Sequence, residues 1–261
     1  MRYFDSHAHY YDERFLEEYD GGADAILSSV LGKSVSYIVN VGTSVETCRL
    51  AIEQAKRYDG MYTALGIHPS DARFITDMSG ALAKVEAMIL DKSNKCVALG
   101  EIGLDYHYPD TDKEMQKTFF RAQMKIAERL SIPVVIHDRD SHADVMEIIR
   151  EYPAVRGVLH SFSGSSEMAA ELIELGYMIS FSGTVTFKNA RKPKEVALCV
   201  PAERILIETD CPYLAPHPLR GTLNHSANLE YICRAIAEIR GIDESAAAEL
   251  TEANARRFFG I

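Results

Sequence analysis

Residues able to bind a metal ion recur at one kind of place in this 261-residue chain, the end of a short apolar run. One run ends in His7-Ala8-His9, others in Gly100-Glu101, Ile136-His137 and Leu159-His160, and the last in Glu208-Thr209-Asp210. Strand side chains alternate with period 2, so His7 and His9 point to the same side and form a natural chelating pair. With Glu101, His137, His160 and Asp210 they make four imidazoles and two carboxylates, a donor set suited to Zn²⁺, Mn²⁺ or similar divalent ions. Six donors exceed what one tetrahedral ion needs. Around two ions, with one carboxylate bridging, they leave positions open for water and substrate, as a two-metal hydrolase requires. A lone histidine at a strand end is commonly a hydrogen-bonded structural residue. Five runs that all end in ligand types are a different matter, because the structural reading must then hold independently at every one.

The elements that must position these residues follow from periodicity. β-rich apolar runs occur at Tyr3 to Asp5, Tyr37 to Val41, Tyr62 to Ile67, Val97 to Leu99, Val134 to Ile136, Val158 to Leu159, Tyr177 to Phe181 and Ile205 to Ile207. Longer amphipathic stretches separate them, the pattern of parallel strands joined by helices. Capping-box spacings at Thr43/Glu46, Thr111/Glu114 and Ser141/Asp144 predict helix starts. Asp59-Gly60, Leu175-Gly176 and Pro153 mark stops. After Thr111, the residues Met115, Phe119, Ala122, Ile126 and Leu130 define one buried helix face. No Gly-rich dinucleotide turn follows the first strand and no linker divides the chain, so the expectation is one domain over 1–261. Eight strand-helix units in this length predict an α/β fold, a closed (β/α)₈ barrel whose C-terminal face gathers every candidate ligand. The Ala-rich stretch from about Asp243 is expected to be an extra helix packed outside the barrel.

Apolar residues at 47% and charged residues at 25% exclude a disordered or collagenous chain. The formal net charge of −10 repels nucleic acid and anionic membranes over the whole surface, so a phosphate substrate needs a local positive site. Two divalent ions would supply it. No apolar run has the length of a membrane span, and the N-terminal residues lack a signal-peptide core, so a cytoplasmic protein is expected. Five cysteines without a C-x-x-C spacing read as reduced thiols.

The chain also resembles the TatD family of metal-dependent hydrolases. The matching segments are Asp5-Ser6-His7-Ala8-His9, Gly66-Ile67-His68-Pro69, Gly100-Glu101-Ile102-Gly103-Leu104-Asp105-Tyr106, Pro133 to His137 with Arg139-Asp140, His160-Ser161-Phe162-Ser163-Gly164, and Glu208-Thr209-Asp210 with Pro212-Tyr213-Leu214-Ala215-Pro216. The resemblance implies a TIM-type barrel with a binuclear centre and phosphodiester hydrolysis, as a 3′–5′ exonuclease-like deoxyribonuclease. It also implies that His7, His9 and Asp210 hold one ion, His137 and His160 the other, and that Glu101 bridges both. Arg220-Gly221 and Asn224 resemble the segment after the last strand. The chain departs from the family at His225-Ser226, where a Pro is common, and at Asp138, where a small polar residue is usual.

Roles follow for a reaction in which a water activated at the ions attacks phosphorus in line. Asp210 is the candidate proton acceptor. His68 and His107, in loops after the third and fourth strands, are candidate substrate contacts, as are Arg139 and Arg220, whose planar guanidinium suits phosphate. Arg139 could instead pair with Asp138 or Asp140. Ser163 and Gly164 could present backbone amides to an anion at a helix start, or simply cap it. DNA is the expected partner, as single strands or ends rather than a duplex captured on a basic stripe, with Phe162, Tyr106 or Tyr213 as stacking surfaces. His142 reads as the exposed first turn of a helix, and Cys211 as a buried structural thiol. Two rival readings remain open. One is a binuclear amidohydrolase or lactonase on a small substrate; such enzymes often place a carboxylated Lys between the ions, where this chain has Glu101. The other is a barrel with a vestigial centre that binds a partner, which loss of ligands would mark; none of the six candidates is missing.

Overall fold

The structure, a computed structural model, describes all residues from 1 to 261. Eight parallel strands follow one another around a barrel in chain order: β1 (Tyr3–Ala8), β2 (Val35–Gly42), β3 (Met61–Leu65), β4 (Cys96–Asp105), β5 (Val134–Arg139), β6 (Gly157–Leu159), β7 (Met178–Phe181) and β8 (Ile205–Ile207). Strands buried on both faces read as continuous apolar runs, as Val134, Val135 and Ile136 do in β5. The seam between β8 and β1 is joined mainly by the residues that follow β8. The Ser6 hydroxyl donates to the Ile207 carbonyl at 3.0 Å, Asp210 N–H to His7 O at 2.9 Å and His9 N–H to Cys211 O at 2.8 Å. Ser6 and these later contacts bring the ends of the first and last strands to one site.

Eleven helices cover the barrel: α1 (Arg14–Glu18), α2 (Gly22–Val30), α3 (Val45–Arg57), α4 (Pro69–Ala72), α5 (Met78–Leu90), α6 (Lys113–Leu130), α7 (His142–Glu151), α8 (Ser166–Glu174), α9 (Arg191–Cys199), α10 (Leu229–Arg240) and α11 (Glu244–Phe259). The barrel interior is filled by Phe4, Val39, Val41, Val135, Met178, Leu206 and smaller neighbours. The C-terminal helix joins this inner cluster instead of lying on the outer wall. Phe259 stacks on Phe4 with ring centroids 5.7 Å apart, and Asn254 donates to the carbonyls of Ala202 and Ile205. α11 therefore closes the N-terminal mouth of the barrel, opposite the face that carries the candidate ligands.

Several local expectations shift by a residue. The N-cap of α3 is Ser44, paired reciprocally with Thr47, and not Thr43 with Glu46. The N-cap of α6 is Asp112, whose carboxylate accepts from Met115 N–H, and not Thr111. Ser141 does occupy the N-cap of α7, but its hydroxyl donates to Leu104 O and Asp138, so no box forms. The buried face of α6 is wider than the five-residue stripe: Phe120, Met124 and Ala127 are buried with Phe119 and Ile126, while Met115, Ala122 and Leu130 are only partly covered. Gln116 and Gln123 share that face because their side-chain oxygens accept the backbone N–H groups of Asp105 and Ile67. β4 also runs past Leu99 to Asp105, paired with β5 from Ile102 to Asp105, so Glu101 sits within a strand and not at its end.

Candidate metal centre

At the C-terminal face the six candidate ligands converge in two groups that share one residue. His7 Nε2 and His9 Nε2 lie 3.0 Å apart. Glu101 Oε2 is 3.3 Å from the first, and Asp210 Oδ1 is 3.4 Å from the second. In the other group His137 Nδ1 and His160 Nε2 are also 3.0 Å apart, and Glu101 Oε1 is 2.9 Å and 2.8 Å from them. Ligand atoms at roughly 2.0–2.2 Å from a common ion are themselves about 3 Å apart. The donor set thus has the spacing of coordination shells.

A second test is which nitrogen of each ring is free to ligate. His9 Nδ1 donates to Val41 O at 2.7 Å, His160 Nδ1 faces Glu208 Oε1 at 3.2 Å, and His137 Nε2 faces Asp105 Oδ2 at 3.3 Å. Each of these bonds places the ring proton on the far nitrogen and leaves the near lone pair aimed at the centre, the arrangement that orients metal-binding histidines. His7, stacked on His160, has no partner for its buried Nδ1. All six residues fit divalent ions by spacing, and three of the four histidines also by the bond that orients the ring.

The electrostatics agree with a cation site. Burial pushes the Glu101 carboxyl up, but the neighbouring imidazoles, His160 foremost, and the bond to His137 outweigh it and hold it well below the usual carboxylate range. Asp210 is likewise raised by burial but held low by its bond to His9 and by the surrounding rings. Both therefore stay ionised at neutral pH. Burial, helped by the neighbouring His137 and His160 rings and opposed by Glu101, drives His68 down to about 3, so that ring is neutral.

Asp105 and Glu208 were not among the candidates, although both stand inside matching segments. What they do depends on contacts between strands, which spacing along one strand does not reveal. Glu208 lies at the end of β8 and binds His160 from β6, Ser161 N–H at 2.7 Å and the Ser180 hydroxyl at 2.5 Å. The two departures from the family pattern are absorbed locally. Asp138 accepts from Ser141 at 2.7 Å and His142 at 2.8 Å, closing the turn into α7. Ser226 donates to Asp5 at 2.6 Å and accepts from the Tyr10 hydroxyl at 2.8 Å.

The candidate substrate contacts divide. His68 Nδ1 accepts Ser70 N–H, which leaves its Nε2–H directed at the centre, 3.6 Å from Glu101 Oε1. Arg139 lines a cavity of about 460 Å³ beside His137, His160 and Asp210, and pairs with neither Asp138 nor Asp140. Arg220 lies in an adjoining cavity, its guanidinium over the Phe187 ring. His107 is not brought to the centre; it is 45% exposed and bound to Asp140 on the rim. Phe162 and Tyr213 line the cavity, whereas the Tyr106 hydroxyl is tied to Asp144 at 2.7 Å. The cap of α8 is Ser165, whose side chain accepts from Met168 N–H, so Ser163 and Gly164 precede the helix start. His142 is partly exposed at the start of α7, Cys211 is fully buried and all five cysteines are free. No helix is long and apolar enough to cross a membrane.

Comparison with known proteins agrees with this geometry. The family model described as "TatD related DNase" matches residues 4–260. The chain is 41% identical to the "uncharacterized metal-dependent hydrolase YabD" of Bacillus subtilis, over 99% of both chains. It is 35% identical to YcfH of Escherichia coli K12, which has the same description, over 98% of this chain and 95% of that one. The solved structure of YJJV, a TatD homolog from Escherichia coli K12, superposes with a TM-score of 0.91 at 28% identity, covering 100% of this chain and 98% of that one. The strand-end donors, the barrel and the full-length matches lead to one assignment: the chain belongs to the TatD family and is a metal-dependent hydrolase.

Proposed function

We propose that the protein hydrolyses phosphodiester bonds of DNA as a 3′–5′ exonuclease-like deoxyribonuclease that uses two divalent ions, Zn²⁺, Mn²⁺ or Mg²⁺, and acts on single strands or ends. The observation that carries this reading is Glu101, whose two carboxylate oxygens face different imidazole pairs: Oε2 faces His7 at 3.3 Å, and Oε1 faces His137 and His160 at 2.9 and 2.8 Å. A carboxylate so placed would bridge the two ions of a binuclear site. His7, His9 and Asp210 would hold one ion, and His137 and His160 the other. Bound there, the ions supply Lewis acidity at the phosphoryl oxygen and lower the pKa of water.

The remaining work falls to side chains. Asp210, ionised and lining the cavity, accepts the proton of the attacking water. Arg139, free of ion pairs, offers its planar fork of donors to a nonbridging phosphate oxygen. His68 presents a neutral Nε2–H to the same region, where it donates to substrate without adding charge.

The test is time-resolved cleavage of end-labelled single-stranded DNA by metal-stripped enzyme resupplied with Mg²⁺, Mn²⁺ or Zn²⁺, beside Glu101→Gln. Progressive shortening from the 3′ end that requires both metal and Glu101 is the expected result. Protein that binds its metal yet cleaves no DNA with any ion, while opening a lactone or a small phosphoester, would overturn it in favour of a small-molecule substrate.

A further inference from the structure

The cavity beside the candidate metal centre does not end at the centre. It shares Thr184 and Pro193 with a second cavity of about 680 Å³, lined by Phe187, Lys188, His217 and Arg220. A third, of about 390 Å³, returns through Phe187 and Arg220 to Tyr213 and Leu214, which also line the first. The three form an arc on the C-terminal face, walled by the segment between β7 and α9 and by the segment after β8.

Cations without an ion-pair partner line this arc. On the outer helices most arginines are neutralised: Arg57 by Asp24, Arg121 by Glu147 and Glu151, Arg129 by Glu86, Arg150 by Glu171 and Arg234 by Glu244. Along the arc, Arg139, Lys188 and Arg220 each make no ion pair, while Arg14, on the wall of the third cavity, pairs with Glu18. Lys188 and Arg220 are exposed, and the Arg220 guanidinium lies over the Phe187 ring, 4.2 Å from its centroid. In a chain of net charge −10, unneutralised cations gathered beside one cavity are a local attractor for anions. Spaced cations with aromatic side chains between them are the recognition pattern of a single-stranded phosphodiester backbone.

We propose that this arc is the strand-binding groove: a single DNA strand whose scissile phosphate lies at the metal centre continues over Thr184 and Pro193, and its next phosphates rest on Lys188 and Arg220. The inference rests on the deoxyribonuclease reading and adds to it a path for the uncleaved strand. The groove gives affinity that grows with strand length, and a small diester that reaches only the centre does not use it.

The test compares wild type, Lys188→Glu with Arg220→Glu, and Lys33→Glu with Lys84→Glu. The last pair makes the same change in net charge at exposed positions away from the groove, before β2 and on α5. Each metal-loaded protein is assayed for kcat/KM on a single strand of about 20 nucleotides and on bis(4-nitrophenyl) phosphate, with strand binding followed by anisotropy across salt concentrations. For the groove pair, the ratio of strand to small-diester kcat/KM falls about tenfold or more through KM, and the salt slope of binding drops by about 2. The control pair keeps the wild-type ratio. If wild type shortens the strand and the two pairs behave alike, or the groove pair loses both activities in proportion, the groove is wrong and the deoxyribonuclease reading survives. If wild type hydrolyses the small diester but neither binds nor shortens the strand, both are wrong.

Discussion

At the scale of single residues, the centre is built from ligands and from the groups that aim them. The candidate ligands are readable in the sequence because strand ends in a barrel open onto one face, so His7, His9, His137, His160 and Asp210 follow from their position beside apolar runs. Asp105 and Glu208 were not readable in the same way. Their bonds to His137 and His160 cross between strands far apart in the chain. Two substitutions separate these layers. Asp210→Asn should lower kcat on single-stranded DNA by about 10²-fold or more, the usual worth of a positioned base, with KM changed far less; steady-state kinetics at saturating metal checks this, and an unchanged kcat removes Asp210 from the reaction. Glu208→Gln keeps the shape but not the charge that orients His160. Metal affinity should fall roughly 10–100-fold, as for other groups supporting a ligating histidine, and competition with a chelator measures it.

At the scale of elements, the barrel order was legible because fully buried parallel strands leave unbroken apolar runs, while the helix starts were displaced because adjacent Thr, Ser and Asp compete for one cap. Ser44 wins over Thr43, and Asp112 over Thr111. The role of the last helix was not legible, since an amphipathic stretch does not say which surface it covers. Phe259 is 6% exposed and stacks on Phe4 in the barrel interior. Phe259→Ala should therefore cost about 3 kcal/mol in urea unfolding, the low end for a buried aromatic; a cost under about 1 kcal/mol would mean that α11 does not seal the barrel. The turn from β5 into α7 carries a pH signature. The hydrogen bond to Asp138 raises the His142 imidazole above its ordinary value against a smaller opposing effect of burial. A raised folded pKa stabilises the fold fully below the unfolded value of about 6.5 and is lost as pH rises through the folded value. The stability gap between wild type and His142→Ala should accordingly be widest near pH 5.5 and shrink by pH 9. A gap that is constant or widens with pH would contradict the pairing.

At the scale of the whole molecule, the two ends of the barrel divide the labour. The N-terminal mouth is closed by aromatic packing and carries stability, while the C-terminal face gathers ionised carboxylates, oriented imidazoles and unpaired cations. On the proposed reading, this division reconciles a net charge of −10 with an anionic substrate, because two ions would add about four positive charges where the phosphate would sit. A binuclear centre requires Glu101 to join two coordination shells. Its most direct test is metal content per chain, by elemental analysis of wild type and Glu101→Gln after equilibration with Mn²⁺ or Zn²⁺ and removal of free ion. About two ions per wild-type chain are expected, with loss of at least one from the variant, whose amide offers one oxygen where the carboxylate offered two. A wild type that binds only one ion, or a variant that keeps both with unchanged affinity, would contradict it.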